Sequence, residues 1–301
     1  MIPQEMKAAI WQKGELRLVT LPVPEIESDG VLLEVLNVGI CGTDHSMMKS
    51  GGLAEGTILG HEVCGRVAAC GDGVRVREGE RVFVMGATCF GDIRGLFGGA
   101  ASRLVVDERK LVSVGAGLNE DAILLALAAT AHHALHDGNE LALPDLIVGH
   151  GVLGRLLARL TVALGVKPPV VWETNARRSE GGIGYEVVSP EQDERNDYRR
   201  ILDASGDPAI LDVLIQRLTK GGEIVLGGFY SNPLSFTFPP AFMREARLRI
   251  AAEWLPSDLV SVKSLIDSGA LNLRELISHR VPASRAREAY PVAFTDPECL
   301  K

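Results

Sequence analysis

Three side chains with metal-binding chemistry lie close together in the chain. Cys41, His61 and Glu62 all fall in the short segment 38–65. Thiolate, imidazole and carboxylate are donors that hold a catalytic zinc, which keeps three protein ligands and one open position. The segment therefore predicts a catalytic metal site. The alternative is a loop that carries a cysteine and a histidine without binding a metal.

A glycine motif indicates a second kind of chemistry, the binding of a dinucleotide. The sequence GHGVLG at 149–154 follows an apolar run at 146–148 and precedes leucines at helical spacing. Glu173 ends the next apolar run, 24 positions after Gly149. In this context the glycines let the backbone approach a pyrophosphate at a helix N-terminus, and the carboxylate accepts hydrogen bonds from ribose hydroxyls.

The predicted cofactor-binding residues of this unit are Gly149, His150, Gly151, Val152, Leu153, Gly154 and Glu173. Glu173 favours NAD, because the 2′-phosphate of NADP would meet its negative charge. Arg177 and Arg178 could pair with such a phosphate or could be solvated charges. His150 either reaches a phosphate or is a polar residue of the turn. NAD is the predicted cofactor.

The composition excludes several classes of protein. The 301 residues are 46% hydrophobic and 23% charged, as in an ordinary globular protein. A net charge of −8 and a pI near 5.5 argue against a nucleic-acid-binding protein. The longest apolar stretch, at 122–131, is too short to cross a bilayer, and we find no secretory signal. Five cysteines without a CxxC pair predict a reducing, cytoplasmic setting.

The pattern of apolar residues changes along the chain. Short apolar runs between Gly, Asp and Pro turns occupy roughly the first hundred residues and predict a barrel or partly closed sheet. The stretch NEDAILLALAATAHHAL predicts one helix capped by Asn119. Alternating strand and helix patterns at 146–254 predict a parallel sheet of β-α-β units. The chain is therefore expected to be an α/β protein.

The motifs CGTD at 41–44 and GHE at 60–62, followed by the dinucleotide fold, resemble the medium-chain dehydrogenase/reductase superfamily of zinc alcohol dehydrogenase-like proteins. The resemblance covers the whole chain. It implies a GroES-like β-rich catalytic domain at 1–119 and a Rossmann doubly wound parallel-sheet domain that binds NAD at 120–257. A C-terminal return to the catalytic domain is implied at 258–301.

The same resemblance implies an NAD-dependent alcohol dehydrogenase with one catalytic zinc on Cys41, His61 and Glu62. It assigns the transfer of the substrate proton to Thr43 and His45. The four-cysteine lobe that binds a structural zinc in many relatives is absent, so no structural zinc is expected.

Two further features bear on this implied zinc site. Asp44 is expected to accept a hydrogen bond from a ligand histidine. Many members supply another ligand near the start of the connecting helix, where this chain has Ala126. Cys89, His132 or His133 could replace that ligand or could be structural.

The ends of two later strands also match cofactor positions of the superfamily. By resemblance, the loops DASG at 203–206 and GGFY at 227–230 lie along the NAD. The residues concerned are Ser205, Gly206, Gly228 and Phe229. Ordinary strand-end turns are the alternative.

Longer stretches, among them LPDLIVGHGVLGRLLARLT and PAFMREARLRIAAEW, resemble one branch of the superfamily. Members of that branch oxidise the 3-(1-hydroxyethyl) group of a bacteriochlorophyllide, a chlorin pigment, to 3-acetyl. The resemblance implies a chlorin substrate, with Phe97 as a candidate for its pocket. A dehydrogenase of a small secondary alcohol or polyol and a non-catalytic pigment carrier are the alternatives. The oligomeric state stays open, a homo-oligomer among its alternatives.

Overall fold

The computed structural model describes residues 2–86, 98–115, 117–165, 167–230 and 232–301. Its strands are β1 (Glu5–Gln12), β2 (Glu15–Pro22), β3 (Gly30–Gly39), β4 (Glu62–Cys70), β5 (Arg81–Met85), β6 (Arg103–Asp107), β7 (Leu111–Ser113), β8 (His136–Asp137), β9 (Glu140–Leu141), β10 (Leu146–Val148), β11 (Val170–Trp172), β12 (Glu186–Val188), β13 (Tyr198–Asp203), β14 (Leu218–Leu226) and β15 (Arg247–Ile250). Its α-helices are α1 (Gly42–Ser50), α2 (Leu125–Ala134), α3 (Val152–Ala163), α4 (Leu211–Arg217), α5 (Phe238–Arg244), α6 (Pro256–Asp267) and α7 (Ala286–Thr295).

The chain divides into two compact units. Unit 1 consists of Met1–Leu125 and Ile277–Lys301, and unit 2 consists of Ala126–Leu276. Helix α6 therefore lies in unit 2. The physical reason is that Leu259 and Val262 of α6 are buried, and that its Asp258 bonds to histidines of α2.

Unit 1 is built on an antiparallel five-stranded sheet in the order β6-β3-β4-β5-β7, with β1 and β2 paired separately. Alternate residues of the central strands point to one face, as the pleat of a strand requires. Those residues form a buried core: Val31, Leu33, Val63, Val67, Val82, Val84, Leu104 and Val106. The β-rich first part expected from the sequence is confirmed.

Unit 2 is built on a six-stranded parallel sheet in the order β12-β11-β10-β13-β14-β15. Its first strand lies in the middle, and the order reverses between β10 and β13, which is the doubly wound arrangement. All three residues of β10 are buried, as expected where helices cover both faces of a parallel sheet. The α/β fold class, with a GroES-like part and a Rossmann part, is confirmed.

The stretch that begins at Asn119 is not one α-helix. Residues Asn119–Leu124 form a 3₁₀ helix whose N-cap is Leu118, and α2 begins only at Leu125. Asn119 has a left-handed backbone, with φ of 43°, and its side-chain oxygen accepts a hydrogen bond from Arg81 at 2.7 Å. That oxygen is therefore engaged with Arg81 instead of capping a helix.

Among the described residues, no helix has both the length and the apolar character that a bilayer crossing requires.

Candidate active site

The three predicted metal ligands meet in unit 1. Cys41 is the N-cap of α1, and Glu62 is the first residue of β4, directly after His61. One ligand atom of each residue lies within 4.8 Å of the others. Glu62 is buried, and Cys41 and His61 are half-buried. The fold therefore gathers thiol, imidazole and carboxylate at one point, as the spacing of the motifs predicts.

The carboxylate of Asp44 holds the two ligand segments together. Its Oδ2 accepts from the backbone N–H of Cys41 at 2.8 Å, and its Oδ1 accepts from the N–H of Gly60 at 3.4 Å. The same Oδ1 lies 3.5 Å from Nδ1 of His61. Asp44 is fully buried, so these bonds fix its position. This placement matches the role expected of Asp44, that of orienting a ligand histidine.

The site is strongly attractive to positive charge. Burial favours the neutral form of His61, but hydrogen bonds to Asp44 and Cys41 and the nearby charges of Asp44 and Glu62 raise its pKa to about 10. A metal ion must displace the proton that this field holds on the imidazole. The donor types, their separation and the orienting carboxylate all fit a zinc ion.

Sequence reasoning missed a fourth charged group at this site. The side chain of Lys301 is buried, and its ammonium forms an ion pair with Glu62. Glu62 is paired across the sheet with Gly39, where an added Cβ would lie 2.3 Å from Glu62 Oε2. Because Gly39 has no side chain, the carboxylate of Glu62 can occupy this space. No local pattern around Lys301 signals this contact, because 239 positions separate it from Glu62.

The predicted proton-transfer residues both lie on α1. The Oγ1 of Thr43 lies 3.8 Å from Sγ of Cys41. His45 is half-buried and packs against Phe294, with ring centroids 4.3 Å apart. Burial and the charge of Lys49 lower the pKa of His45, which favours its neutral form. In the described part of the chain no hydrogen bond joins Thr43 to His45, as expected for helical residues two positions apart.

The glycine motif forms the turn between β10 and α3 in unit 2. Gly149 has a φ of 94°, Gly151 is the N-cap of α3, and Val152 and Leu153 begin the helix. Gly154 packs so closely that an added Cβ would lie 1.8 Å from the carbonyl oxygen of Gly149. The turn therefore requires glycine for reasons of geometry, and the strand–turn–helix context of the motif is confirmed.

Glu173 contacts this turn directly. Its Oε2 accepts from the backbone N–H of His150 at 2.9 Å, and its Oε1 accepts from the N–H of Asn175 at 2.7 Å. A carboxylate offers about four lone-pair positions, so these bonds leave capacity for ribose hydroxyls. The predicted role of Glu173 in cofactor binding stays a prediction.

His150 is fully buried, and both ring nitrogens have partners within unit 2. Nδ1 donates to the carbonyl oxygen of Arg178 at 2.6 Å, and Nε2 lies 2.8 Å from the hydroxyl of Tyr185. Arg155, also buried, donates to the carbonyl oxygens of His150 and Arg178. This geometry favours the interpretation of His150 as a polar residue of the turn. The sequence signal for Arg155 was that it and Arg159 are the two arginines of a mostly apolar helix, which our sequence reasoning did not use.

The remaining predicted cofactor residues lie in loops that follow β13 and β14. Gly206 has a φ of 72°, and an added Cβ there would lie 2.9 Å from the carbonyl oxygen of Phe229. Gly228 packs against Gly206, Ser205 is exposed, and Phe229 is 70% exposed. The two loops are therefore adjacent at the carboxyl ends of the strands, where doubly wound sheets bind ligands.

The sequence also offered Cys89, His132 and His133 as replacement zinc ligands and Phe97 as a residue of the substrate pocket. Cys89 and Phe97 lie outside the described residues. His132 and His133 both bond to Asp258 within unit 2.

We expect the stability of unit 2 to depend on pH through His150. Burial, together with the charge of Arg155, lowers the pKa of His150 from 6.5 to about 4 despite the bond to Arg178. Between these values the unfolded chain binds a proton that the folded protein excludes, so the free energy of unfolding falls as the pH falls. The expected loss is about 3 kcal/mol over this window. Urea unfolding at pH 7 and pH 4.5 should show this loss in the wild type and a smaller one in His150→Gln, whereas equal losses would refute the assignment.

The sequence comparisons agree with this geometry. Residues 27–116 match the alcohol dehydrogenase GroES-like domain. The structure of acetophenone reductase from Geotrichum candidum in complex with NAD superimposes with a TM-score of 0.84 at 19% identity, covering 99% of this chain and 96% of that one. This superposition shows that the two chains share a fold, and unit 1 contains the domain that matches the alcohol dehydrogenase GroES-like model.

Two relatives are much more similar. The 2-desacetyl-2-hydroxyethyl bacteriochlorophyllide A dehydrogenase of Cereibacter sphaeroides is 51% identical over 95% of this chain and 93% of its own length. The enzyme of the same name from Rhodobacter capsulatus is 56% identical over 83% of this chain and 80% of its own length. The chain belongs to this dehydrogenase family within the medium-chain dehydrogenase/reductase superfamily.

Proposed function

We propose that this dehydrogenase oxidises the 3-(1-hydroxyethyl) group of a bacteriochlorophyllide to 3-acetyl, a step of bacteriochlorophyll biosynthesis. NAD accepts the hydride, and one zinc ion is held by Cys41, His61 and Glu62. The observation that carries the choice of substrate is the 51% identity, over 95% of this chain, to an enzyme named for that pigment. The buried donor cluster supports the alcohol chemistry.

Oxidation of a secondary alcohol removes a proton from oxygen and a hydride from carbon. When bound, Zn²⁺ supplies a Lewis acid that makes the substrate hydroxyl easier to deprotonate, and NAD supplies the hydride acceptor. Cys41, His61 and Glu62 would hold the metal, and Asp44 would keep the ring of His61 in place. Lys301 balances the charge of Glu62.

Thr43 and His45 are proposed to conduct the substrate proton away from the site. A hydroxyl both donates and accepts, so Thr43 can pass a proton along a hydrogen-bonded chain. His45 has a lowered pKa and can accept that proton in its neutral form. A path between the two residues requires a water molecule, because no direct hydrogen bond joins them in the described structure.

The residues of unit 2 are proposed to bind NAD through the backbone of the glycine turn and the carboxylate of Glu173. Gly149 and Gly151 let the pyrophosphate approach the N-terminus of α3, and Glu173 accepts from the adenosine ribose. Ser205, Gly206, Gly228 and Phe229 extend this surface along the cofactor. Because Glu173 is an anion, NAD should be preferred over NADP.

The function is tested by a turnover assay with purified protein. 3-(1-Hydroxyethyl) bacteriochlorophyllide a would be mixed with NAD or with NADP, and the red absorption band of the pigment followed together with the reduced cofactor. The expected result is a red shift with equimolar NADH, with a lower rate from NADP and loss of activity after treatment with a chelator.

Other outcomes would contradict parts of the proposal. Turnover of small secondary alcohols but not of the pigment would show that the substrate is a small alcohol, as in the polyol-type relatives. Tight pigment binding without formation of NADH would indicate a carrier. Full activity in metal-free protein would contradict the proposed role of zinc.

A further inference from the structure

A second cluster of metal-binding side chains lies in unit 2. Ligand atoms of His132, His136 and Asp258 all lie within 4.8 Å of one another. His132 is in the last turn of α2, His136 begins β8, and Asp258 is in the first turn of α6. His132 and Asp258 are buried, and His136 is half-buried. We propose that these three residues bind a first-row transition-metal ion, which Zn²⁺ represents in the tests below.

A hydrogen bond orients His136 as metal-binding histidines are oriented, and His132 lies directly beside the carboxylate of Asp258. Nδ1 of His136 lies 2.9 Å from the carbonyl oxygen of His132. Because a carbonyl oxygen only accepts, this nitrogen carries the proton and Nε2 keeps a lone pair. Nδ1 of His132 lies 2.7 Å from Oδ1 of Asp258, so an ion held by both atoms would displace the proton that they share. A carbonyl oxygen behind the imidazole, as His136 has, is a usual support of a metal-binding histidine.

The imidazoles are close to each other. Their ring centroids are 4.6 Å apart, with an angle of 43° between the planes. Among the residues that the structure describes, Nε2 of His136 has no hydrogen-bond partner and is therefore open to an ion. Two imidazole nitrogens and a nearby carboxylate are a set that Zn²⁺, Cu²⁺ and Ni²⁺ prefer over Mg²⁺ or Ca²⁺.

The charges around the cluster also favour a cation. The last turn of α2 carries the negative end of the helix dipole. Arg249 donates to the carbonyl oxygen of Ala134 at 3.1 Å, and its charge is partly offset by Glu223, 3.7 Å away, which also pairs with Arg200 at 2.8 Å. An ion bound here would join α2 to α6 and thereby stabilise unit 2.

The experiment separates this site from the one at Cys41. Cys41→Ser protein would be stripped with a chelator and titrated with buffered Zn²⁺, and the bound metal measured by elemental analysis. We expect one ion per chain in Cys41→Ser. We expect a loss of affinity of at least about tenfold when His136→Gln is added to it. His133→Gln is the matched control, because His133 also bonds to Asp258 but lies outside the cluster, and it should bind Zn²⁺ almost as tightly.

Cobalt provides a measurement that does not depend on a folded His136 variant. Wild-type protein should take up two Co²⁺ ions, of which one shows a thiolate-to-metal charge-transfer band. Cys41→Ser should lose that band and keep the visible bands of the second ion. The proposal is overturned if Cys41→Ser binds neither Zn²⁺ nor Co²⁺, or if His136→Gln and His133→Gln weaken binding equally. Failure of pigment turnover would leave these results unchanged.

Discussion

Replacing Cys41 with serine is expected to lower kcat/KM for oxidation of the pigment alcohol by about a thousandfold. The reason is that Cys41 supplies the only sulfur ligand of the proposed zinc site, among donors that lie within 4.8 Å of one another. Hydroxyl is a much weaker zinc ligand than thiolate. The measurement is steady-state kinetics of both proteins, together with their zinc content.

The matched control is Cys70→Ser. Cys70 is also half-buried and is the last residue of β4, but it packs against the core of unit 1, and its sulfur lies 3.4 Å from the carbonyl oxygen of Val76. This variant should keep its zinc and its activity. Normal turnover by zinc-free Cys41→Ser would contradict the proposed site, since no other thiolate is placed to replace it in the described structure.

Replacing Gly154 with alanine is expected to destabilise unit 2 by about 2 kcal/mol. Alanine gains about 1 kcal/mol over glycine inside a helix. A Cβ only 1.8 Å from the carbonyl oxygen of Gly149 forces the backbone to move, which costs about 3 kcal/mol and outweighs that gain. Urea unfolding of the variant and the wild type measures the difference.

Gly151→Ala separates cofactor binding from folding in the same turn. Its Cβ would meet only Nη1 of Arg178, at 3.7 Å, so the free energy of unfolding should change by less than about 1 kcal/mol. The added methyl lies where a pyrophosphate approaches the backbone, so the affinity for NAD should fall by about tenfold or more. Gly115→Ala, with no atom within 4 Å of the new Cβ, should change neither quantity. Unchanged NAD affinity in folded Gly151→Ala would contradict the proposed role of the turn in binding the pyrophosphate of NAD.

A structural feature could be predicted from the sequence when the residues that determine it are close together in the chain. The turn at 149–154 was predictable, because strand, glycines and helix are adjacent in the chain and their geometry is set by neighbouring residues. The 3₁₀ helix at Asn119–Leu124 was not, because Arg81, 38 positions away, bonds to the asparagine side chain. His150 shows the intermediate case: its place in the turn was correct, but its partners Arg178 and Tyr185 come from another segment.

Some features of the candidate site could likewise be predicted from the sequence, and others appeared only in the structure. The sequence by itself determined the donor types at Cys41, His61 and Glu62, the acceptor at Asp44 and the α/β class of the fold, because these follow from residue chemistry and short-range periodicity. Only the tertiary structure decided that Lys301 is buried against Glu62 and that Asp258 joins His132. Such contacts depend on how distant segments pack around buried charges. A linear pattern does not encode that packing, because a buried charge can be neutralised by any opposite charge that the fold brings within reach.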